Sequence, residues 1–234
     1  MLLLHVIATP RSTVSATLRV SHPFLEQLQV ACPGVQVETL DLFTDDMPTL
    51  TGHNIDSKYD LMRGQPIEPS RAAPWRSIEK LIHQFLRADI CLISSPMWNF
   101  SIPYALKYYI DAIVQPGYLF AYNDAGFPVG LCGGKKLVCV TSRGGDYSTG
   151  TPMQAYDMQE PYLRAIFGFV GITERFDESL AQLGLPPLEA ERTRNVNKAR
   201  PVVEDEVRRL IRRVNDEDVR LYERALELHE RRRG

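Results

Sequence analysis

The chain has 234 residues, of which 44% are hydrophobic and 24% are charged, and its formal net charge is −2 at pH 7. A chain of this length and apolar share can bury a core of its own as one domain, and a charge near zero provides no broad basic surface for nucleic acid. Its apolar runs are too short to span a membrane, and Met1–Leu4 lacks the basic residues that open a signal peptide. We therefore expect no nucleic-acid partner and no membrane partner.

Cysteine usage favours a reducing compartment. The four cysteines show no C-x-x-C pair and no zinc-ligand spacing, and two of them, Cys91 and Cys139, fall in strand-like runs. We expect these two to be buried free thiols and the protein to be cytoplasmic.

Short apolar runs that end at turn residues alternate along the chain with apolar residues at helical spacing. Such runs predict strands, and spacings of three and four predict helices with one buried face. The predicted strands are Leu2–Ala8, Val35–Leu42, the run from Ile90 to Ile93, Leu137–Thr141 and a last strand near Glu174–Phe176. The predicted helices have their apolar residues within Leu18–Leu28, Ile78–Leu86, Ala105–Ile113 and Tyr162–Val170. The alternation predicts a doubly wound α/β fold with one five-stranded parallel sheet and helices on both faces.

Other stretches fit this alternation less well. Pro23 falls inside the first helix and predicts a kink or a later start, because proline breaks a helix interior. Residues 43–74 are predicted to be mostly loop, with a short helix near Asp56–Met62, and residues 123–136 to be a loop or a small hairpin.

The end of the chain differs in composition from the rest. From Pro201 to Gly234 acids and bases are nearly matched in number, around an apolar stripe that includes Leu210, Ile211 and Leu228. A solvated helix lying on the domain and a contact between two copies of the chain explain this pattern equally well. We divide the chain into a flavodoxin-like domain, 1–200, and a charged helical extension, 201–234.

Three loops of the predicted sheet suit different parts of one ligand. A flavodoxin-type sheet has the strand order 2-1-3-4-5, and the loops after strands one, three and four meet at its switch point. Here those loops are Thr9–Thr17, Pro96–Ser101 and Ser142–Gly145. The first is rich in hydroxyls and precedes a helix, whose N-terminus favours phosphate, although serine and threonine at this place are more often only caps. Because no glycine-rich dinucleotide or triphosphate motif is present, a terminal monophosphate fits best.

The other two loops suit a flat ring. The segment Met97–Phe100 provides two aromatics, a thioether and an amide, although such residues are also common in ordinary cores. Gly144 and Gly145 allow the backbone to approach a ring closely, and Arg143 beside them either pairs with a charge or lies on the surface. Together the loops predict flavin mononucleotide (FMN) as the ligand.

Four motifs make the resemblance specific: SPMWNFSIP at 95–103, VTSRGG at 140–145, PYLRAIFGFVGIT at 161–173 and TPRSTVSAT at 9–17. In order and spacing they resemble the FMN-dependent azoreductase / NAD(P)H:quinone oxidoreductase family, over most of the chain up to about Ala181. Trp98 stands where that family more often has tyrosine, which keeps an aromatic wall but removes a hydroxyl.

The resemblance implies a set of cofactor and substrate contacts. The FMN phosphate would be bound by Thr9, Arg11, Ser15, Ala16 and Thr17, the isoalloxazine flanked by Met97, Trp98, Asn99 and Phe100, and its pyrimidine side held by Ser142, Arg143, Gly144 and Gly145. Family members are homodimers with active sites at the interface, so Tyr118, Phe120 and Tyr122 are candidates for the substrate side, including that of a partner subunit.

The activity implied is two-step (ping-pong) two-electron transfer from NADH or NADPH to a quinone or an azo compound. The flavin carries this chemistry, and the sequence shows no carboxylate pair, Ser-His-Asp set or metal cluster, so we expect no catalytic side chain and no metal. Two alternatives stay open: a non-enzymatic flavodoxin-like electron carrier or FMN-binding interaction module, and a relative that shares only the fold.

Overall fold

The computed structural model describes residues 1–172 of the chain. The strands are β1 (Leu2–Ile7), β2 (Gln36–Asp41), β3 (Ile90–Pro96), β4 (Phe120–Tyr122), β5 (Pro128–Gly130) and β6 (Lys136–Ser142). The helices are α1 (Ala16–Ala31), α2 (Gly52–Met62), α3 (Pro69–Arg87), α4 (Tyr104–Ile113) and α5 (Gln159–Phe169). The predicted strand near Glu174–Phe176, the boundary at residue 200 and the charged extension lie outside the described residues.

Four strands form a parallel sheet in the order β2-β1-β3-β6. This confirms the predicted flavodoxin-like order for its first four strands. Strands β1 and β3 lie at the centre, where their runs Leu3–Ala8 and Ile90–Ser95 are buried. Such continuous burial is typical of parallel strands covered on both faces.

Alternate residues of the central strands face different helices. Leu3 and Leu92 pack with Leu25 and Leu28 of α1, which covers one face of the sheet. Leu4, Val6 and Ile93 belong to the larger cluster on the other face, together with the buried sides of α3, α4 and α5. The side-chain alternation of a strand therefore divides the core into two layers.

Pro23 does not delay the first helix. Helix α1 runs from Ala16 to Ala31 with Pro23 inside it, so the later start was wrong. Proline in a helix interior costs about 3 kcal/mol. Burial of Leu18, Leu25 and Leu28 opposes this cost, because each buried leucine contributes about 2 kcal/mol.

Part of the predicted loop at 43–74 is helical. Helix α3 begins at Pro69, which occupies its first turn, and buries Trp75 to 2% exposure, so the loop prediction was wrong for 69–74. Proline is tolerated in a first turn because its missing N–H would be unpaired there anyway. Helix α2 is longer than predicted and starts at Gly52, where Thr51 and Asn54 form a capping box.

Of the remaining predictions on local structure, some are confirmed and others are wrong. The small hairpin is present as antiparallel β4 and β5, with its first strand beginning earlier than expected, at Phe120. All four cysteines are free; Cys91 is buried, and Cys139 on β6 is exposed. Within residues 1–172, the helices are all too short or too polar to cross a membrane.

Candidate functional site

The three predicted loops start side by side at the carboxyl edge of the sheet, where the parallel strands end. The N–H of Ala8 donates to the carbonyl of Ser94 (2.9 Å), and the N–H of Met97 donates to the carbonyl of Ser142 (2.7 Å). These bonds join the ends of β1, β3 and β6 in one row. Loops from adjacent strand ends form the crevice in which open α/β sheets bind ligands.

The first loop combines buried hydroxyls with an uncapped helix. Thr9, Ser15 and Thr17 are at most 3% exposed. The Ser15 and Thr17 hydroxyls lie 2.9 Å apart, and Ser15, at the N-cap of α1, makes no side-chain cap bond. The first-turn N–H groups of a helix have no partner within the helix, and here no cap side chain takes them. Together with the helix dipole they provide an anion site, next to which Arg11 is exposed.

The central loop is a strained tight turn. Trp98 and Ser101 exchange backbone hydrogen bonds of 2.9 and 3.0 Å, which leaves Asn99 and Phe100 at the tip. Their φ angles are +46° and +71°. Two successive positive φ angles are typical of a type I′ turn, which favours glycine, and left-handed backbone costs roughly 1 kcal/mol or more for a bulky residue. Strain of this kind tends to persist at ligand-binding sites.

Two groups of aromatic rings lie on opposite sides of this turn. We call Phe43, Trp98 and Tyr104 the Trp98 cluster; its ring centroids are 5.7–6.2 Å apart. We call Phe100, Tyr147 and Tyr156 the Phe100 cluster, in which Phe100 lies 6.5 Å from Tyr147 and 5.1 Å from Tyr156. Phe43 follows β2 and the two tyrosines follow β6, so the clusters flank the β3 loop from the two sides of the sheet.

The third loop offers backbone groups to a ligand, because the side chain of its arginine, Arg143, is already in an ion pair. Nη1 of Arg143 lies 2.7 Å from Oδ2 of Asp157, Glu160 lies 3.7 Å from the same guanidinium, and the Arg143 side chain is 18% exposed. Of the two predicted alternatives, the structure places Arg143 in an ion pair and not on the open surface. Gly144 is exposed with open space where a Cβ would be, and a Cβ at Gly145 would be in van der Waals contact with the ring of Tyr147, 3.4 Å away.

The substrate candidates are not at this edge. Tyr118 donates from its hydroxyl to Glu79 on α3 (2.5 Å), and Phe120 packs against Phe169 at the end of α5 (4.9 Å between centroids). Helix α5 begins beside the three loops, where the N–H of Met158 donates to the carbonyl of Phe100 (2.9 Å).

The far end of α5 marks the opposite edge of the sheet. There the carbonyl of Val170 accepts from the N–H of Cys132 (2.8 Å), just after the hairpin. The 11 residues of α5 span roughly 16 Å. Within the chain, Tyr118, Phe120 and Tyr122 are therefore separated from the three loops by about the length of this helix.

A buried histidine beneath the loops was missed by sequence reasoning. His5 of β1 is 1% exposed, and its Nε2 lies 2.8 Å from the hydroxyl of Ser94 on β3. Burial, with a smaller contribution from the nearby His22, lowers the pKa of His5 to about 4, so the imidazole is neutral at pH 7. The pair links the two strands whose loops form the first and central parts of the site. A polar residue inside an otherwise apolar strand was the available signal.

The parallel sheet and the three loops at its carboxyl edge define a flavodoxin-like protein, and comparison with known proteins gives the same class. Residues 1–211 match the model of a family described by its flavodoxin-like fold, and the chain belongs to that family. Within it, the chain is 37% identical over 172 residues to the FMN-dependent NADH:quinone oxidoreductase of Nitratidesulfovibrio vulgaris (strain DP4), covering 74% of this chain and 82% of that protein. It is 39% identical over 174 residues to the protein of that name from Albidiferax ferrireducens, covering 74% and 84%. The chain is thus a member of the FMN-dependent NADH:quinone oxidoreductase family, which confirms the resemblance seen in its motifs.

Solved structures agree with this assignment. The azoreductase from Bacillus anthracis str. Sterne superposes with a TM-score of 0.69 at 25% identity, over 95% of this chain and 98% of that one. An FMN-dependent NADH-azoreductase from Bacillus anthracis str. Ames Ancestor, solved in complex with FMN, gives a TM-score of 0.67 at 23% identity, over 94% and 99%, and has the same fold.

Proposed function

We propose that this protein is an FMN-dependent NAD(P)H oxidoreductase that reduces quinones and azo compounds by two electrons at a time. The observation that carries the proposal is the juxtaposition, at one sheet edge, of an uncapped helix N-terminus lined by buried hydroxyls and a strained turn flanked by aromatic rings. A phosphate suits the first and a flat heteroaromatic ring suits the second.

The described residues fit FMN part by part. Thr9, Arg11, Ser15, Ala16 and Thr17 would hold the phosphate, because the α1 N–H groups have no side-chain cap. The isoalloxazine would be flanked by Met97, Trp98, Asn99 and Phe100, and its pyrimidine side held by the backbone of Ser142, Arg143, Gly144 and Gly145. The open space at Gly144 supports the last assignment, since a side chain there would keep the ring away.

FMN held by these residues would supply the redox chemistry, a two-electron exchange between NADH or NADPH and the acceptor. The residues of the chain bind, orient and exclude water. The loop N–H groups stabilise negative charge at the pyrimidine edge, and the aromatic clusters provide flat apolar surface beside it. No side chain acts as acid, base or nucleophile in this scheme, and solvent supplies the protons. Donor and acceptor use the same place in turn, which is a ping-pong order.

A homodimer is part of the proposal. Tyr118, Phe120 and Tyr122 lie about one helix length from the loops of their own chain, so this region can contribute to a substrate site only in a second copy. Of the three, Tyr122 is the exposed ring that would reach that site, because Phe120 is only 6% exposed. The exposed rings of Tyr122 and Phe127 on the hairpin, at 45% and 68% exposure, support a contact there. We place this dimer in the cytoplasm, in keeping with four free cysteines.

The absorption spectrum of the purified protein tests cofactor binding directly. We expect a flavin spectrum that NADH or NADPH bleaches in the absence of oxygen and that menadione or methyl red restores. A colourless protein that added FMN does not change would favour a relative sharing only the fold. A flavin that is bound but never reduced by either nicotinamide would favour the electron carrier.

Steady-state kinetics and size measurements test the remaining parts. Varying NADH at several menadione concentrations should give parallel double-reciprocal lines, as expected for a ping-pong order. Intersecting lines would contradict that order while leaving the activity intact. Light scattering should give twice the 26.6 kDa mass of the chain, and a monomeric active enzyme would contradict the shared site.

A further inference from the structure

The Phe100 cluster has the construction of a binding surface more than that of a core. The rings of Phe100 and Tyr156 are 42% and 51% exposed, although they contact each other. Within residues 1–172, neither the Tyr147 hydroxyl nor the Tyr156 hydroxyl has a hydrogen-bond partner. Rings that served only stability would be buried, because the gain from an aromatic side chain is proportional to the apolar area removed from water.

Hydrogen bonds and an ion pair next to Tyr156 fix the position of the Phe100 cluster. The N–H of Met158 donates to the carbonyl of Phe100 (2.9 Å), which joins the segment that carries Tyr156 to the strained turn. Oδ1 of Asp157 accepts from the N–H of Gln159 (3.0 Å) and so caps α5, while Oδ2 pairs with Arg143. The two residues that follow Tyr156 are therefore tied to the strained turn and to Arg143 of the third loop, and these restraints hold Tyr156 beside Phe100.

Tyr147 closes the side of the cluster towards the third loop. Its ring lies 3.4 Å from the place where a Cβ of Gly145 would be, which is van der Waals contact, so the ring lies against the backbone of the third loop. The Phe100 cluster thus extends from the turn that flanks the proposed isoalloxazine position to the loop that holds its pyrimidine side. It forms an apolar surface continuous with the ring-binding part of the site.

We propose that Phe100, Tyr147 and Tyr156 form a platform for the second ring of fused-ring acceptors, so that the preferred substrates are two-ring quinones. This inference rests on the proposed function, since it concerns the acceptor that takes electrons at the same site. A one-ring quinone covers only the area over the flavin, whereas the second ring of a naphthoquinone extends onto the platform. An aromatic contact of this type changes binding by roughly twofold to tenfold beyond the area it buries.

The test compares two acceptors in the FMN-loaded dimer, menadione and 1,4-benzoquinone, which differ by one fused ring and a methyl group. Replacing Tyr156 by leucine (Tyr156→Leu) keeps apolar bulk but removes the ring, and should raise the KM for menadione about fivefold to tenfold, with kcat little changed. The KM for benzoquinone and for NADH should stay within about twofold. Tyr156→Phe should behave as wild type, because the hydroxyl has no partner among residues 1–172.

A second measurement is independent of turnover. Titration of the oxidised enzyme with menadione, without any electron donor, should perturb the flavin absorbance and yield a dissociation constant. We expect this constant to rise in Tyr156→Leu by the same factor as the KM. Tyr59→Leu is the matched control, since Tyr59 on α2 is exposed to a similar extent, 50%, and belongs to neither cluster. Tyr147→Leu serves as a second platform variant should Tyr156→Leu fail to fold.

The results of these experiments distinguish a failure of the platform from a failure of the proposed function. Equal losses for both quinones, a loss of FMN, or no change in either variant would overturn the platform while the wild-type activity stands. A wild-type protein that holds no FMN or reduces neither quinone would overturn the proposed function and the platform together. Loss confined to menadione, in both KM and dissociation constant, supports the platform.

Discussion

At the edge where the parallel strands begin, polar groups that end one element are bonded to groups from another. The ammonium of Lys135 donates to the carbonyls of Leu86 and Ala88, and the carboxylate of Asp89 accepts from the N–H of Leu2 (2.7 Å). At the edge where the strands end, the backbone is strained and the α1 N-terminus lacks a cap. Ser12, Asn99 and Phe100, which are all the non-glycine residues with positive φ in the described chain, lie there.

This difference indicates that the amino edge of the sheet serves stability and the carboxyl edge serves ligand binding. Polar groups left without protein partners cost stability, as does left-handed backbone, and a fold keeps them where a ligand repays the cost. We therefore expect substitutions at the carboxyl edge to change FMN binding more than stability, and substitutions at the amino edge to do the reverse. Each prediction below tests one part of that division.

The largest effect is expected for Ser15→Asp at the N-cap of α1. Aspartate caps a helix as well as serine does and favours its dipole, so the stability of the protein should be kept or increased. Near the phosphate, however, the new charge opposes FMN by up to about 4 kcal/mol, for two charges 4 Å apart near a surface. The FMN dissociation constant should rise by up to about a thousandfold.

Fluorescence titration of the flavin-free protein with FMN measures this effect. Ser15→Ala is the control: it removes the hydroxyl without adding charge and should cost about tenfold, as for one lost hydrogen bond to a charged group. If Ser15→Asp bound FMN as tightly as Ser15→Ala, the phosphate would not lie at this helix.

A prediction about His5 tests whether residues inside the sheet, beneath the site loops, contribute to stability. Its pKa is lowered from 6.5 to about 4 in the folded protein, so the unfolded chain binds the proton more readily. Stability from the neutral imidazole is present above pH 6.5 and is lost as the pH falls towards 4, by about 3 kcal/mol in total.

Urea unfolding above pH 6.5 and near pH 4 should show this loss in the wild type and a smaller one in His5→Gln. Glutamine does not titrate, and the two proteins share every other ionisable group, so their difference isolates the imidazole. Identical pH profiles would mean that His5 is protonated with equal ease in both states.

The sequence was sufficient for the parts that depend on local pattern. The buried runs of β1 and β3 and the Pro96 that ends β3 were predictable from local pattern, and the flavodoxin-type strand order correctly predicted that the three loops lie together. Helix α3 was predicted too short, and the later start that was one of the two effects expected from Pro23 is not seen in α1, because tertiary burial of Trp75 and Leu18 outweighed local breakers such as Pro23.

The rest of the site depends on contacts between residues far apart in sequence. Phe43, Tyr147 and Tyr156 join Trp98 and Phe100 from other loops, and no local periodicity indicates such partners. The distance of the hairpin from the loops likewise follows from the direction of α5 and not from any motif. A sequence motif therefore indicates the chemistry of its own loop, but it does not indicate which residues of other loops the fold places beside it.

At the amino edge, Lys135→Met should lower stability and leave FMN binding unchanged. Methionine keeps the apolar stem of the side chain but removes the donor to two carbonyls that end α3. The expected loss in the free energy of unfolding is about 2 kcal/mol, as for hydrogen bonds to a charged group. Lys80→Met, at an exposed position on the same helix, should lose little, and a weakened FMN affinity in Lys135→Met would contradict the division between the edges.

The smallest effect is expected at Asn99, where backbone and side chain can be separated. Its φ of +46° suits glycine and is tolerated by asparagine, whereas alanine is penalised by about 1 kcal/mol. If the central turn contributes through its backbone N–H groups, Asn99→Gly should hold FMN nearly as well as wild type. Asn99→Ala should unfold more easily and bind FMN about fivefold more weakly, because the same strain must be overcome to form the turn. Equal weakening in both variants would assign the role to the amide side chain, and unchanged FMN content and turnover in Asn99→Ala would remove the turn from the site.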